Sequence, residues 1–110
     1  MKVIKNFYVY QIHFLHAMDR RRELHMTTKD LKEFFQEHLV PKKLYKIGGE
    51  HKNRICIEQV SDGWDVFFKD KKQKIGLMHF GDEKSACDVM MNEIRKLMES
   101  VYGITWAKTV

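Results

Sequence analysis

The sequence predicts an α+β fold: a three-stranded antiparallel β-meander with helices packed on one of its faces. Three observations carry this. Residues 54–80, RICIEQVSDGWDVFFKDKKQKIGLMHF, hold three short runs of strand-forming residues separated by turn material. A run with apolar residues three and four apart precedes them, and a longer one follows. At 110 residues and 44% hydrophobic content, the chain is one domain with a single modest core.

The strands are expected over 54–60, 64–69 and 74–80. Asp62-Gly63 is a strong hairpin signal, because glycine tolerates the positive φ of tight turns. With those two residues as the turn, Ile57 faces Phe68 and Gln59 faces Val66. With Lys71-Lys72 at the tip of the second turn, Phe68 faces Ile75 and Val66 faces Leu77. Ile57, Val66, Phe68, Ile75 and Leu77 then share one face, and a one-residue slip in either hairpin would split them. Residues 44–47 offer a fourth, brief extended piece.

A helix is expected over 28–39. Thr27 or Thr28 offers the N-cap, Asp30 suits the positive end of the helix dipole, and Pro41 ends the run. Its stripe is Leu31, Phe34, Phe35, His38 and Leu39, with His38 read as a boundary residue. A second helix is expected over 82–101, capped by Asp82 and stopped by Gly103, burying Ala86, Met90, Ile94, Leu97, Met98 and Val101. Residues 26–103 thus form an α-β-β-β-α core and 104–110 a tail. Residues 1–25 read as a helical segment, although alternation over Ile4, Tyr8, Tyr10, Ile12 and Phe14 also suits a strand.

No apolar run approaches the roughly 20 residues that span a bilayer, and polar residues interrupt any signal-peptide core. The expected location is the cytoplasm, with no membrane partner. Cys56 and Cys87 lack CxxC partners and zinc spacing, so both read as reduced thiols. The formal charge of +5 is unevenly placed: residues 1–54 hold 12 Lys/Arg against 6 Asp/Glu, residues 55–110 hold 8 against 9. A basic first half can meet an acidic partner or nucleic acid, and a solvated surface accounts for it equally.

The residues nominate no reaction. His13 and His16 are three apart, but no carboxylate completes a metal site. His51 beside Lys52 and Arg54 lacks the second positioned group that acid–base catalysis needs. Gly48-Gly49 lacks the Lys-Ser/Thr of a phosphate loop. No enzyme activity, cofactor or metal is expected. Cations interleaved with aromatics, at Lys42, Lys43, Tyr45, Lys46, Lys52 and Arg54, suit single-stranded nucleic acid, without any RRM or helix-turn-helix pattern.

LVPKKLYKIGG followed by RICIEQVSDGWDVFFKDKKQKIGLMHFGDEKSACDVMM gives an ordered series. It runs from a helix through a Pro-Lys-x-Leu-Tyr connector and a Gly-Gly loop to a Cys-Ile-Glu…Gly-Trp-x-Val-Phe-Phe hairpin, and on to a helix start. From Leu31 to Met98 the chain resembles small bacterial immunity proteins of polymorphic-toxin and contact-dependent growth inhibition systems. The resemblance implies a non-catalytic cytoplasmic protein that binds one cognate toxin C-terminal domain, often a nuclease, and occludes it. This chain departs from it in being basic, which implies an acidic toxin surface or binding away from the catalytic cleft. The partner surface is expected on the sheet face opposite the helices, where Cys56, Glu58, Phe67, Lys69, Met78 and Phe80 adjoin the Lys71-Lys72 turn. The basic connector with Lys42, Lys43, Lys46 and His51 is the alternative surface, and a small RNA-binding or RNA-processing protein the alternative function.

Overall fold

A computed structural model describes residues 26–106. The helix expected over 1–25, the His13/His16 pair and residues 107–110 lie outside the described residues. The described part is α+β, with elements in the order α1 (Thr28–Glu37), a 3₁₀ turn (Lys42–Leu44), β1 (Tyr45–Ile47), β2 (Ile55–Val60), β3 (Gly63–Lys69), β4 (Lys74–Phe80) and α2 (Glu83–Tyr102). The strands form one sheet in the order β1-β2-β3-β4. β2, β3 and β4 make the expected antiparallel meander. Residues 45–47 do add a fourth strand, but parallel to β2, so the sheet is mixed rather than wholly antiparallel.

α1 starts where its cap chemistry dictates. The Thr27 hydroxyl accepts from the Asp30 amide at 3.2 Å, and the Asp30 carboxylate accepts from the Thr27 amide at 3.1 Å. This reciprocal box satisfies two donors that the first helical turn leaves open. The helix stops two residues before the expected end. The Leu39 amide donates to Gln36 O at 3.2 Å and the Val40 amide to Phe35 O at 2.9 Å, a Schellman closure that needs a left-handed residue at its centre. That residue is Leu39, at φ 56 and 81% exposed, so the leucine assigned to the buried stripe leaves it. His38, expected at the boundary, is buried. Its ring stacks on Phe34 with centroids 3.9 Å apart, and its Nδ1 donates to Phe34 O at 2.8 Å.

α2 is capped by Asp82, whose carboxylate accepts from the Ser85 amide at 2.8 Å, and ends at Gly103 with φ 69. It buries Ala86, Cys87, Met90, Ile94 and Met98 against the sheet, while Val101, expected in that stripe, is exposed. Glu83 in its first turn accepts from the Thr28 amide at 2.8 Å and hydroxyl at 3.0 Å, tying the starts of the two helices together. The core joins these residues to Leu31, Phe35, Tyr45, Ile57 and Val66. Trp106, from the tail, closes one side, edge-on to Phe34 at 5.1 Å.

Both hairpins depart from the expected register. In the first, Val60 pairs with Gly63 and Ile57 with Val66, so Ser61-Asp62 is the turn and Phe68 faces Ile55. A shift of two residues keeps every side chain on its face. Gly63 is needed as a strand residue rather than for the turn, since a Cβ there would overlap the Phe80 carbonyl oxygen. In the second hairpin Phe68 does face Ile75, but Val66 faces Met78 rather than Leu77. β4 carries one extra residue at Gly76-Leu77, and Gly76 at φ 65 supplies the left-handed conformation such a bulge uses. Beyond the bulge the alternation of β4 is inverted, so Met78 and Phe80 lie on the helix side of the sheet.

Candidate functional site

The register decides which expected partner-binding residues are available. Of the set Glu58, Phe67, Lys69, Lys71, Lys72 and Met78, the sheet face opposite the helices keeps Glu58, Phe67 and Lys69. Phe67 is 2% exposed, so it is a core ring and not the exposed anchor expected of it. Lys74 lies over that ring, its Nζ 4.6 Å from the centroid. The same ammonium reaches Glu58 at 2.6 Å and Glu50 at 3.6 Å, and Lys69 reaches Glu50 at 3.0 Å. Glu58 holds the Lys74 ammonium above its ordinary pKa, and Lys69 holds the Glu50 carboxyl below its own. These pairs draw the loop between β1 and β2 across this face. Cys56 lies beneath it, its thiol 3.5 Å from His51 O, and burial raises its pKa. Glu58 and Lys69 are therefore engaged inside the molecule.

Lys71 and Lys72 remain exposed at the β3–β4 turn, and Met78 is exposed on the helix side. There the structure gathers what the sequence reading missed. Phe68, Ile75 and Met78 are 40, 46 and 38% exposed there, whereas Leu77, 47% exposed, opposes Phe67 across the bulge and points to the other face. Phe68, Ile75 and Leu77 were expected in the core. α2 covers Ile57 and Val66 and leaves this part of β3 and β4 open. Phe68, Ile75 and Met78 form a strip across the two outer strands β3 and β4, running from the Lys71-Lys72 turn along the sheet. Gly76, a glycine inside a strand run, was the signal for the bulge that builds the strip.

Charge is sorted along the strands. One end of the sheet carries the starts of β1, β2 and β4 and the end of β3. Lys42, Lys43, Arg54, Lys69, Lys71, Lys72 and Lys74 lie at or next to that end. Two members of the alternative basic surface, Lys42 and Lys43, thus share an end with the Lys71-Lys72 turn. Lys46 sits on β1 opposite Cys56, and exposed His51 lies in the following loop with its Nδ1 3.0 Å from Lys52 O. The other end of the sheet carries Asp62, Asp82 and Glu83. His79 at that end lies 2.7 Å from Asp65 and 3.6 Å from Asp62, and the hydrogen bond to Asp65 raises its pKa first, with Asp62 adding to it. Asp82 is held below its ordinary value by the Ser85 amide and hydroxyl.

Among the described residues no group of three His, Cys, Asp or Glu is placed to hold a metal ion, and no helix is long and apolar enough to cross a membrane. No family model, no curated protein and no solved structure matches this chain.

Proposed function

We propose that this chain is an immunity protein: it binds a cognate bacterial toxin domain in the cytoplasm and neutralises it by occlusion, without catalysing a reaction. The observation that carries the partner-binding part is the exposed strip of Phe68, Ile75 and Met78 beside Lys71 and Lys72. An aromatic ring, an isoleucine and a methionine bordered by exposed lysines combine the apolar centre and polar rim of protein interfaces. The toxin class comes from the resemblance between Leu31 and Met98. The basic end of the sheet selects an acidic toxin surface, which differs from mimicry of a nuclease's phosphate substrate.

The RNA-binding reading draws on the same gathering of Lys42, Lys43, Arg54, Lys71 and Lys72 at one end. Salt separates the two. Binding that neutralises phosphates falls steeply as salt rises, through counterion release, whereas apolar docking with a charged rim loses mainly association rate. The functional test co-expresses the chain with the C-terminal domain encoded by the reading frame immediately upstream. Growth protected by the wild-type chain and lost with Ile75→Glu supports the proposal. Protection indifferent to the strip refutes its placement, and no protection refutes that toxin as the partner.

A further inference from the structure

We propose that in the absence of a partner two copies of this chain pair through β4, antiparallel and edge to edge, to form one continuous sheet across a twofold axis. β4 is the outer strand among the described residues, and the ladder fixes which of its backbone groups point outward. Lys69 N donates to Arg54 O at 3.0 Å, and Asp70 N donates to Gln73 O at 2.9 Å. Along β3 the odd-numbered residues therefore bond toward β2 and the even-numbered ones toward β4. Met78 and Phe80, opposite Val66 and Trp64, bond inward. Leu77 and His79 present their amides and carbonyls outward.

Proteins guard such edges with proline, lysine or a bulge. The bulge here lies at Gly76, and the segment beyond it, Leu77 to Phe80, contains neither proline nor lysine. Pairing centred on Met78 sets Leu77 opposite the second copy's His79, and those are the two residues whose backbone groups face out. Met78 then meets the second copy's Met78 on the helix side, and the two apolar strips join into one.

The charge pattern fits this arrangement and no parallel one. Antiparallel pairing lays the basic end of one copy beside the acidic end of the other. The exposed Lys71-Lys72 turn comes to the end of the second copy that carries Asp82 and Asp62, and the match is made twice because the twofold axis repeats it. An interface that uses the same patch on both copies closes at two. The inference is independent of the toxin reading, with one consequence for it: a partner seated on the strip displaces the second copy.

Sedimentation of the full chain, with no partner present, tests this. As concentration rises into the submillimolar range, the mass should move from one chain to two and stop there, with the Leu77 and His79 amides gaining protection from hydrogen exchange. Met78→Lys places like charges on the axis and should weaken association at least about tenfold. Lys71→Glu with Lys72→Glu, and separately Asp62→Lys with Asp82→Asn, should each weaken it, and mixing the two variants should restore it. A mass that stays at one chain, or grows beyond two, overturns the proposal. So does a dimer indifferent to Met78→Lys and to both charge reversals. A monomeric result leaves toxin binding at the strip standing, and lost toxin binding leaves the dimer standing.

Discussion

Phe67 and Phe68 are adjacent in sequence and opposite in consequence. Phe67 is 2% exposed, with the Lys74 ammonium 4.6 Å above its ring. Removing a buried ring of this kind costs about 3–5 kcal/mol, through lost transfer energy and the cavity left behind. The lost cation–π contact adds about 0.5–1 kcal/mol. Phe68 is 40% exposed. Full burial of such a side chain is worth about 1.5–3 kcal/mol, so the covered part contributes roughly 1–2 kcal/mol. Its truncation leaves an open notch rather than a sealed void. Phe67→Ala should therefore be the more destabilising by about 2–3 kcal/mol. In urea, with a slope of about 1–3 kcal/mol per molar, the two midpoints should differ by roughly 1 M or more. Parallel urea melts followed by circular dichroism decide it. Equal midpoints, or Phe68→Ala the lower, would mean that the faces of β3 are assigned backwards and that the exposed strip is not where it is drawn.

Leu39 sits at φ 56 with its side chain 81% exposed, so Leu39→Gly relieves a left-handed leucine and should stabilise by about 1 kcal/mol in the same melts. His79 has its pKa raised by Asp65 and then Asp62. Its contribution is complete below the ordinary imidazole value of about 6.5 and is lost as pH rises through the raised value. Asp65→Asn should flatten the pH dependence of stability across that window, and an unchanged slope would contradict the pairing. Cys56 and Cys87 are both free and buried, and burial, aided by Glu83 and Asp88, pushes the Cys87 thiol up to about 12. Neither should react with a thiol reagent near pH 8 in the native protein, and both should react once it is denatured without reductant.

The local rules in the sequence were strong enough to place most elements. The Thr27–Asp30 and Asp82–Ser85 caps, the Gly103 stop and the three strand runs each carry a signal within a few residues. What was not legible depended on events between strands. The turn at Asp62-Gly63 moved because Gly63 accommodates the Phe80 carbonyl, a contact 17 residues away in the chain. The bulge at Gly76 then inverted the faces of Met78 and Phe80, two of the six sheet residues expected on the partner face. Alternation alone cannot report an extra residue, so it puts Leu77 with Phe68 and Ile75 in the core and Met78 on the opposite face, where the bulge exchanges Leu77 and Met78. The exposure of the strip also reflects where α2 runs: the helix covers Ile57 and Val66 but leaves the outer part of β4 open, and no periodicity within either element encodes that offset. Lys71 and Lys72 were legible because a lysine-rich turn between strands has nowhere to go but solvent.

Calorimetric titration of the upstream-encoded toxin domain into wild-type and Ile75→Glu protein tests the partner surface most directly. Ile75 is 46% exposed, so the charge should leave the stability in urea within about 0.5 kcal/mol of wild type. Loss of a hot-spot contact of about 2 kcal/mol should weaken the complex roughly thirtyfold. Unchanged affinity with Ile75→Glu, against a wild-type chain that binds tightly, would place the toxin elsewhere on the molecule.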